Sequence, residues 1–268
     1  VALATDLSTA CSAFLTLRWL AADPDAAFRF SLRRVCLDRQ SLSSVLRIGT
    51  PAALQGAVFC FANIFVQAAV NSFGAAATAG AAAAMNFEYI IYYMITAFTQ
   101  TVTTFTSQNQ AAGNHERCLR ILKQSLLLAL FSSAALSTPL TVWAWQASSF
   151  FSHDPAVLQA ACERIRLILV FTPVCSFYEI PAGFLRGYGF SLLPALETIV
   201  GTCLFRILWI FTGFQAAPSL PMLYVIFPVS WVVTILLLGI STGKLLRRLP
   251  RPVWQAEKVR NTPPISHQ

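Results

Sequence analysis

Apolar positions along this chain fall into long blocks separated by short polar connections. Seven blocks are legible: about 1–20, 50–71, 76–108, 121–145, 160–184, 190–213 and 219–243. The last six each exceed the roughly 20 apolar residues that a helix needs to cross a bilayer core. The first is ragged, interrupted by Asp6 and Arg18, and reads as the surviving part of a helix. The pattern predicts an all-α integral membrane protein of about seven transmembrane helices. Pro51 falls in the first turn of its block, where a missing N–H is harmless. "NSFG" at 71–74 predicts a tight turn. Pro139, Pro173, Pro181, Pro194 and Pro228 lie in or near the blocks. Within a membrane they predict kinks whose freed carbonyls neighbouring helices must satisfy.

Composition agrees with the pattern. The 268 residues are 56% hydrophobic and 11% charged, against about 25% charged in soluble domains. Between Arg47 and His115 the only formal charge is Glu88. The excess of 19 Lys+Arg over 11 Asp+Glu does not point to nucleic acid, because most of the bases sit in connections. These are 21–47 (Arg29, Arg33, Arg34, Arg39, Arg47), "GNHERCLRILK", "LRGYG" and "GKLLRRLPR". The alternating connections "NSFGAAA", "QASSFFSHDPAV" and "GFQAAPSL" contain no Lys or Arg. The positive-inside effect then puts the basic connections and the C-terminus in the cytoplasm of a multi-pass protein. The expected location is a plasma membrane, the inner membrane of a bacterium. "CERIR", with Arg164 and Arg166 at what would be an outer helix end, is the exception.

The chain divides as 1–20, a partial transmembrane helix; 21–47, a basic connector; 48–243, six transmembrane helices; and 244–268, a cytoplasmic tail. It starts at Val1 with no basic region ahead of the first apolar block, unlike a signal peptide. A chain cut inside a longer protein is the expectation. Seven cysteines form no CxxC pair and mostly lie in apolar blocks, as small hydrophobes packed between helices do. The three histidines are scattered, so no metal site is expected. The connections also lack a clustered Asp/Glu or His motif, so neither a cofactor nor an enzyme is expected.

Block 76–108 is the most informative. Asn86, Tyr89, Tyr93, Thr96, Gln100, Thr103 and Ser107 recur at spacings of three and four, making one polar line. Glu88, Tyr92, Thr99 and Thr106 make a second, about 85° away. One line is expected to face an aqueous cavity and the other the bundle interior. Both could instead be interhelical hydrogen-bonding glue, worth about 0.6 kcal/mol per bond. The preceding block offers Gln55, Asn63, Gln67 and Asn71, whose amides can bind a cation or drug or lock helices together.

Deep charges are few: Glu88, Glu179, Glu197 and Arg206, with Asp6 in the ragged first block. An ionised acid at a helix centre costs about 2.5–3.5 kcal/mol on insertion scales, so such residues are usually functional or paired. Glu179 and Glu197 fall at similar depths on adjacent helices. Depth also permits an ion pair between Arg206 and Glu88. Tyr89, Tyr92 and Tyr93 offer aromatic faces to an organic cation, or pack as ordinary core.

Three stretches together resemble one known family. "LRIGTPAALQGAVFCFANIFVQAAVNSFG" resembles the start of the second half of the MATE (multidrug and toxic compound extrusion) transporters. "SQNQAAGNHERCLRILK" resembles their helix-ending stretch before an Arg-containing loop. "FLRGYGFSLLPALETIVGTCLFRILWIF" resembles their Leu-Arg-Gly-x-Gly turn and the Cys-x-x-Arg helix after it.

The resemblance implies a twelve-helix fold of two six-helix lobes around a central cavity. It also implies export of cationic or amphipathic compounds in exchange for Na⁺ or H⁺, with no cofactor. Residues 1–20 would end the first lobe, 21–47 would join the lobes, and 48–243 would form the second. The missing first lobe, small organic cations or amphiphiles and membrane lipid would be the partners. Glu88, Glu179 and Glu197 would couple to the cation, and Arg206 would be a structural charge partner. Gln55, Asn63, Gln67, Tyr89, Tyr92, Tyr93 and Gln100 would line the substrate cavity. The chain departs from relatives with an acid in the seventh helix, having amides such as Gln55 and Asn63 there. It also departs from those with an aspartate earlier in the tenth helix than Glu179.

Two other readings compete. A lipid-linked saccharide flippase of related two-lobe fold would carry several cavity bases for phosphate, and only Arg206 is expected at depth. A seven-helix receptor or opsin would want a mid-membrane lysine in its last helix, and Lys244 lies at the end of it.

Overall fold

The computed structural model describes residues 2–22 and 38–248. Much of the basic connector and residues 249–268 of the tail therefore lie outside the described residues. All regular structure among the described residues is helical. The chain divides into two compact units, Val1–Arg47 and Ile48–Gln268. The first contains helix α1 (Ala2–Ala22), with Leu3, Leu7, Phe14, Trp19 and Asp6 exposed.

The longer unit takes up α2 (Arg39–Asn71) from Ile48 onward, its apolar part starting at Gly49, then α3 (Ala75–Ala111) and α4 (His115–Val142). After the short α5 (Ala144–Ser148) comes a long apolar segment that changes helical form along its length. It runs as α6 (Pro155–Arg164), a π-helical stretch Ile165–Leu169, a 3₁₀ turn Thr172–Cys175 and α7 (Ser176–Gly187). The next segment is broken similarly: α8 (Leu192–Thr198), a π-helical stretch Ile199–Leu204, α9 (Phe205–Phe211) and α10 (Gly213–Ala216). Helix α11 (Leu220–Arg248) closes the order.

Local chemistry accounts for the boundaries. Asp154 accepts a hydrogen bond from the Ala156 N–H at 2.9 Å and Pro155 occupies the first turn, so α6 starts with a complete N-cap. Pro173 opens the 3₁₀ turn because it cannot supply the N–H that an α-helix would use there. Helices continue through Pro139, Pro181 and Pro228. α7 ends in "RGYG" as a Schellman motif: Gly189 adopts φ 87°, its N–H reaches Arg186 O, and Phe190 N–H reaches Leu185 O.

Among the described residues five segments are long and apolar enough to cross a membrane: Gly49–Asn71, His115–Val142, Pro155–Gly187, Leu192–Ala216 and Leu220–Arg248. Seven were expected. α3 spans about 55 Å at 1.5 Å per residue but falls short in apolarity because its two polar lines dilute it. Ile64, Ile90, Phe131 and Leu236 are among the exposed apolar side chains on the outside. Such a surface suits lipid rather than water. The core of the longer unit centres on Ile91, Ile95, Ile168, Leu169, Tyr224 and Phe227.

Burial separates the two polar lines of α3. Thr99 and Thr106 are buried beside Ile91, Ile95 and Val102, so the line begun by Glu88 faces inward. Asn86, Tyr89, Tyr93, Gln100 and Ser107 are exposed, with Thr96 and Thr103 half-buried, so the other line faces out of this unit.

Candidate functional site

The inward line of α3 leads into a cavity of ≈ 130 Å³. α2 contributes Phe59, Asn63, Val66 and Gln67; α3 contributes Met85, Glu88, Tyr89 and Tyr92. Arg164, Ile168, Thr172, Cys175 and Tyr178 follow one another along the broken segment Pro155–Gly187. Their spacing tracks the α to π to 3₁₀ change, which keeps successive side chains turned to the same side. Arg206 enters from α9, immediately after the second π-helical stretch, and Phe227 and Trp231 enter from α11.

Charge is arranged unevenly. Arg164 grips Glu88 with both forks of its guanidinium, Nε to Oε1 at 2.6 Å and Nη2 to Oε2 at 3.0 Å. With Arg164 4% and Glu88 15% exposed, the pair is shielded from water. Fork-on-fork geometry fixes orientation as well as charge. The Arg164 guanidinium also lies 5.2 Å from the Tyr224 ring centre and 5.6 Å from that of Phe227. Arg206, 2% exposed, donates from Nε to Ser230 Oγ at 3.1 Å and stacks on Phe227 at 4.2 Å. Tyr92, a lining residue, donates its hydroxyl to Glu179 Oε1 at 2.9 Å, placing that acid one hydrogen bond behind the cavity wall.

Two expectations about the deep bases are corrected. Glu88 pairs with Arg164, not Arg206, because similar depth fixes height but not direction around a helix. Arg206 therefore has company as a deep base, since Arg164 is buried as well. Glu197 is not part of the lining; Ser241 of α11 donates to its Oε1. Glu179 and Glu197 thus answer to different helices, Glu179 to α3 and Glu197 to α11.

Of the expected cavity residues, Asn63, Gln67, Tyr89 and Tyr92 line it, while Gln55, Tyr93 and Gln100 do not. Tyr93 is 65% exposed and stacks on Tyr89 with ring centres 6.0 Å apart. Gln67 also donates to Asn71 Oδ1 at 2.9 Å, so the amide line of α2 is partly helix-internal. Arg164, Tyr178, Phe227 and Trp231 were missed. Arg164 stood out only as the exception to the loop-charge pattern; an arginine near an apolar segment's end, with one acid on a neighbouring block, was the available signal.

Among the described residues no group of three or more His, Cys, Asp or Glu could hold a metal ion. What the arrangement offers is recognition: an aromatic-lined, partly charged recess inside a bundle. It is small against the about 300–1,000 Å³ of a whole drug-sized site, so it seats part of a compound.

A bundle of apolar helices that breaks its own regularity around an internal charged recess is the build of a multi-pass membrane transporter. Comparison with known proteins narrows the class. The family model MatE matches residues 51–212. The chain belongs to the MATE family, whose members are transporters and not enzymes. It is 26% identical over 165 residues to the probable multidrug resistance protein NorM of Thermotoga maritima, covering 60% of this chain and 34% of that protein. It is also 26% identical over 153 residues to the FAD transporter of Shewanella oneidensis, covering 53% of this chain and 34% of that one. The fold matches a MOP superfamily transporter from Pyrococcus furiosus with a TM-score of 0.82 at 18% identity, over 94% of this chain and 57% of that one. That transporter is described as having a binding pocket of reverse polarity that suggests a different function. The chain's matches span about a third of the length of those two curated relatives.

Proposed function

We propose that this chain provides one lobe of a secondary antiporter that exports cationic or amphipathic compounds in exchange for Na⁺ or H⁺. In this reading 1–20 is the end of a first lobe, 21–47 the interlobe connector, and 48–243 six transmembrane helices that include α3. Residues 244–268 form a tail on the cytoplasmic side of a plasma membrane. The partner is a lobe of the same fold, and substrate enters between them along the exposed line of α3, where Tyr89 and Tyr93 present aromatic faces.

One observation supports this above all. The paired Glu88 and the Tyr92-bonded Glu179 stand at and just behind a cavity framed by irregular helix. Each acid has a breakable partner, Arg164 or Tyr92. A cation or proton that takes the acid away from its partner would favour one arrangement of the broken segment over another. Coupling requires only that cation and substrate prefer different arrangements, or compete for one. Glu197, bonded to Ser241, is the more remote of the three candidate coupling acids. The saccharide-flippase alternative gains little from the second deep base, because Glu88 already neutralises Arg164.

The test is ethidium efflux from proteoliposomes under imposed Na⁺ and pH gradients, comparing wild type with Glu88→Gln and Glu179→Gln. The expected result is loss of gradient dependence in at least one variant. Unchanged dependence in both removes these acids from coupling.

A further inference from the structure

The charges lining the cavity do not cancel. Both oxygens of Glu88 are committed to Arg164, and Glu179 is not in the lining. Arg206, 2% exposed, has no carboxylate within ion-pair distance among the described residues. Its contacts are those of a residue being aimed. Ser230 Oγ takes Nε at 3.1 Å while itself donating to Phe227 O at 2.8 Å, which directs the serine's acceptor side toward the arginine. Phe227 lies 4.2 Å from the guanidinium carbon and Phe59 lies 5.7 Å away, on different helices. A guanidinium carries five N–H donors in a rigid fork, and among the described residues only the Nε–H is spent. A buried, uncompensated cation is expensive to keep. Its two terminal nitrogens suit the two oxygens of a carboxylate or phosphate.

We infer that Arg206 is an oxyanion-recognising residue, so that the cavity seats an aromatic compound by a carboxylate- or phosphate-type group. Phe59, Phe227 and Trp231 stand around the ring to which that group is attached. The inference rests on the transport reading and narrows its substrate class. Amphiphiles with an acidic group, zwitterions included, fit this recess, whereas simple cations meet like charge in it. A zwitterion would put its cationic end toward Tyr89, on the exposed line of α3.

The experiment is equilibrium binding to the purified chain in lipid nanodiscs, followed by isothermal calorimetry. Four probes are compared: 2-naphthoate, neutral 2-naphthamide, 2-naphthylmethylammonium and acetate. Wild type should bind naphthoate at least tenfold more tightly than naphthamide, bind the ammonium most weakly of the three ring compounds, and bind acetate too weakly to displace naphthoate. Arg206→Gln should bring naphthoate to the level of naphthamide, and Arg206→Lys should keep part of the preference. Retained naphthamide binding shows that each variant is folded. Equal affinity for naphthoate and naphthamide in wild type overturns the inference without any variant. A preference that survives Arg206→Gln assigns the anion elsewhere, and acetate binding as tightly as naphthoate removes the aromatic requirement. No gradient or turnover enters the measurement, so failure here is distinct from failure of ion coupling.

Discussion

Helix α3 meets the segment Pro155–Gly187 in two contrasting ways. Toward the "RGYG" end the two pack as closely as backbones allow. A Cβ on Gly183 would come 2.8 Å from Thr99 O, and one on Gly187 would come 2.7 Å from Thr106 Cβ. The Thr103 hydroxyl donates across the seam to Gly183 O at 3.1 Å. Small residues four apart facing threonines give tight van der Waals packing where lipid offers no hydrophobic drive. Nearer the middle, the same two elements separate around Glu88, Arg164, Tyr92 and Tyr178, and the segment abandons α geometry for π and 3₁₀ turns. In the proposed mechanism the first part of the contact stays fixed and the second rearranges. Similar residue types, threonine and tyrosine hydroxyls on one helix, serve opposite purposes according to whether glycine lets the neighbour close in.

The largest effect should come from breaking the wider part. Glu88→Gln strands a buried arginine and should destabilise the protein by about 3–5 kcal/mol, read as a lowered unfolding midpoint in detergent. Glu88→Leu combined with Arg164→Met should recover most of that stability, since apolar replacement of a buried pair is often neutral. Ethidium efflux should stay lost in the double variant. Recovered efflux would reduce the pair to scaffolding.

Next comes the seam. Gly183→Val forces a side chain against Thr99 O and should cost about 1–3 kcal/mol. Gly56→Ala, with open space around it, should cost nothing measurable. Comparable losses at both positions would remove the close-packing account.

Tyr92→Phe should cost about 1 kcal/mol, the usual net worth of a hydrogen bond, and shift the gradient dependence of efflux. Thr103→Val should cost about 0.6 kcal/mol and leave that dependence alone. If Thr103→Val moved the dependence as far as Tyr92→Phe does, the division between fixed and rearranging contacts would fail.

Much of this was legible in the chain. Long apolar blocks, Pro155 behind Asp154, and Gly189 closing "RGYG" mark helices and their ends through local chemistry, and the family resemblance also runs through "RGYG". The two polar lines of α3 also follow from periodicity. Which line turns inward did not, because both contain hydroxyls and tyrosines. The choice is made by neighbours, Gly183 and Gly187 against Thr99 and Thr106 and Arg164 against Glu88. Arg206 was visible as a deep charge, but its partner was not. Helix register after a π-helical stretch shifts which residues share a face, and that shift leaves no mark in hydropathy. Placing Arg164 at an outer helix end left the ion pair hidden, because a position near a helix end says nothing of the side on which the side chain points.

The central claim is that the recess between α2, α3 and the broken segment is where transported compound sits. Asn63 lines it, and Cys60, one turn earlier on α2, is exposed outside it. N-ethylmaleimide labelling of an Asn63→Cys variant in membranes, read peptide by peptide by mass spectrometry, compares the two positions in one molecule. 2-Naphthoate should slow labelling at position 63 several-fold and leave Cys60 unchanged. Equal labelling rates at position 63 with and without 2-naphthoate, in a variant that still binds it, would contradict the account.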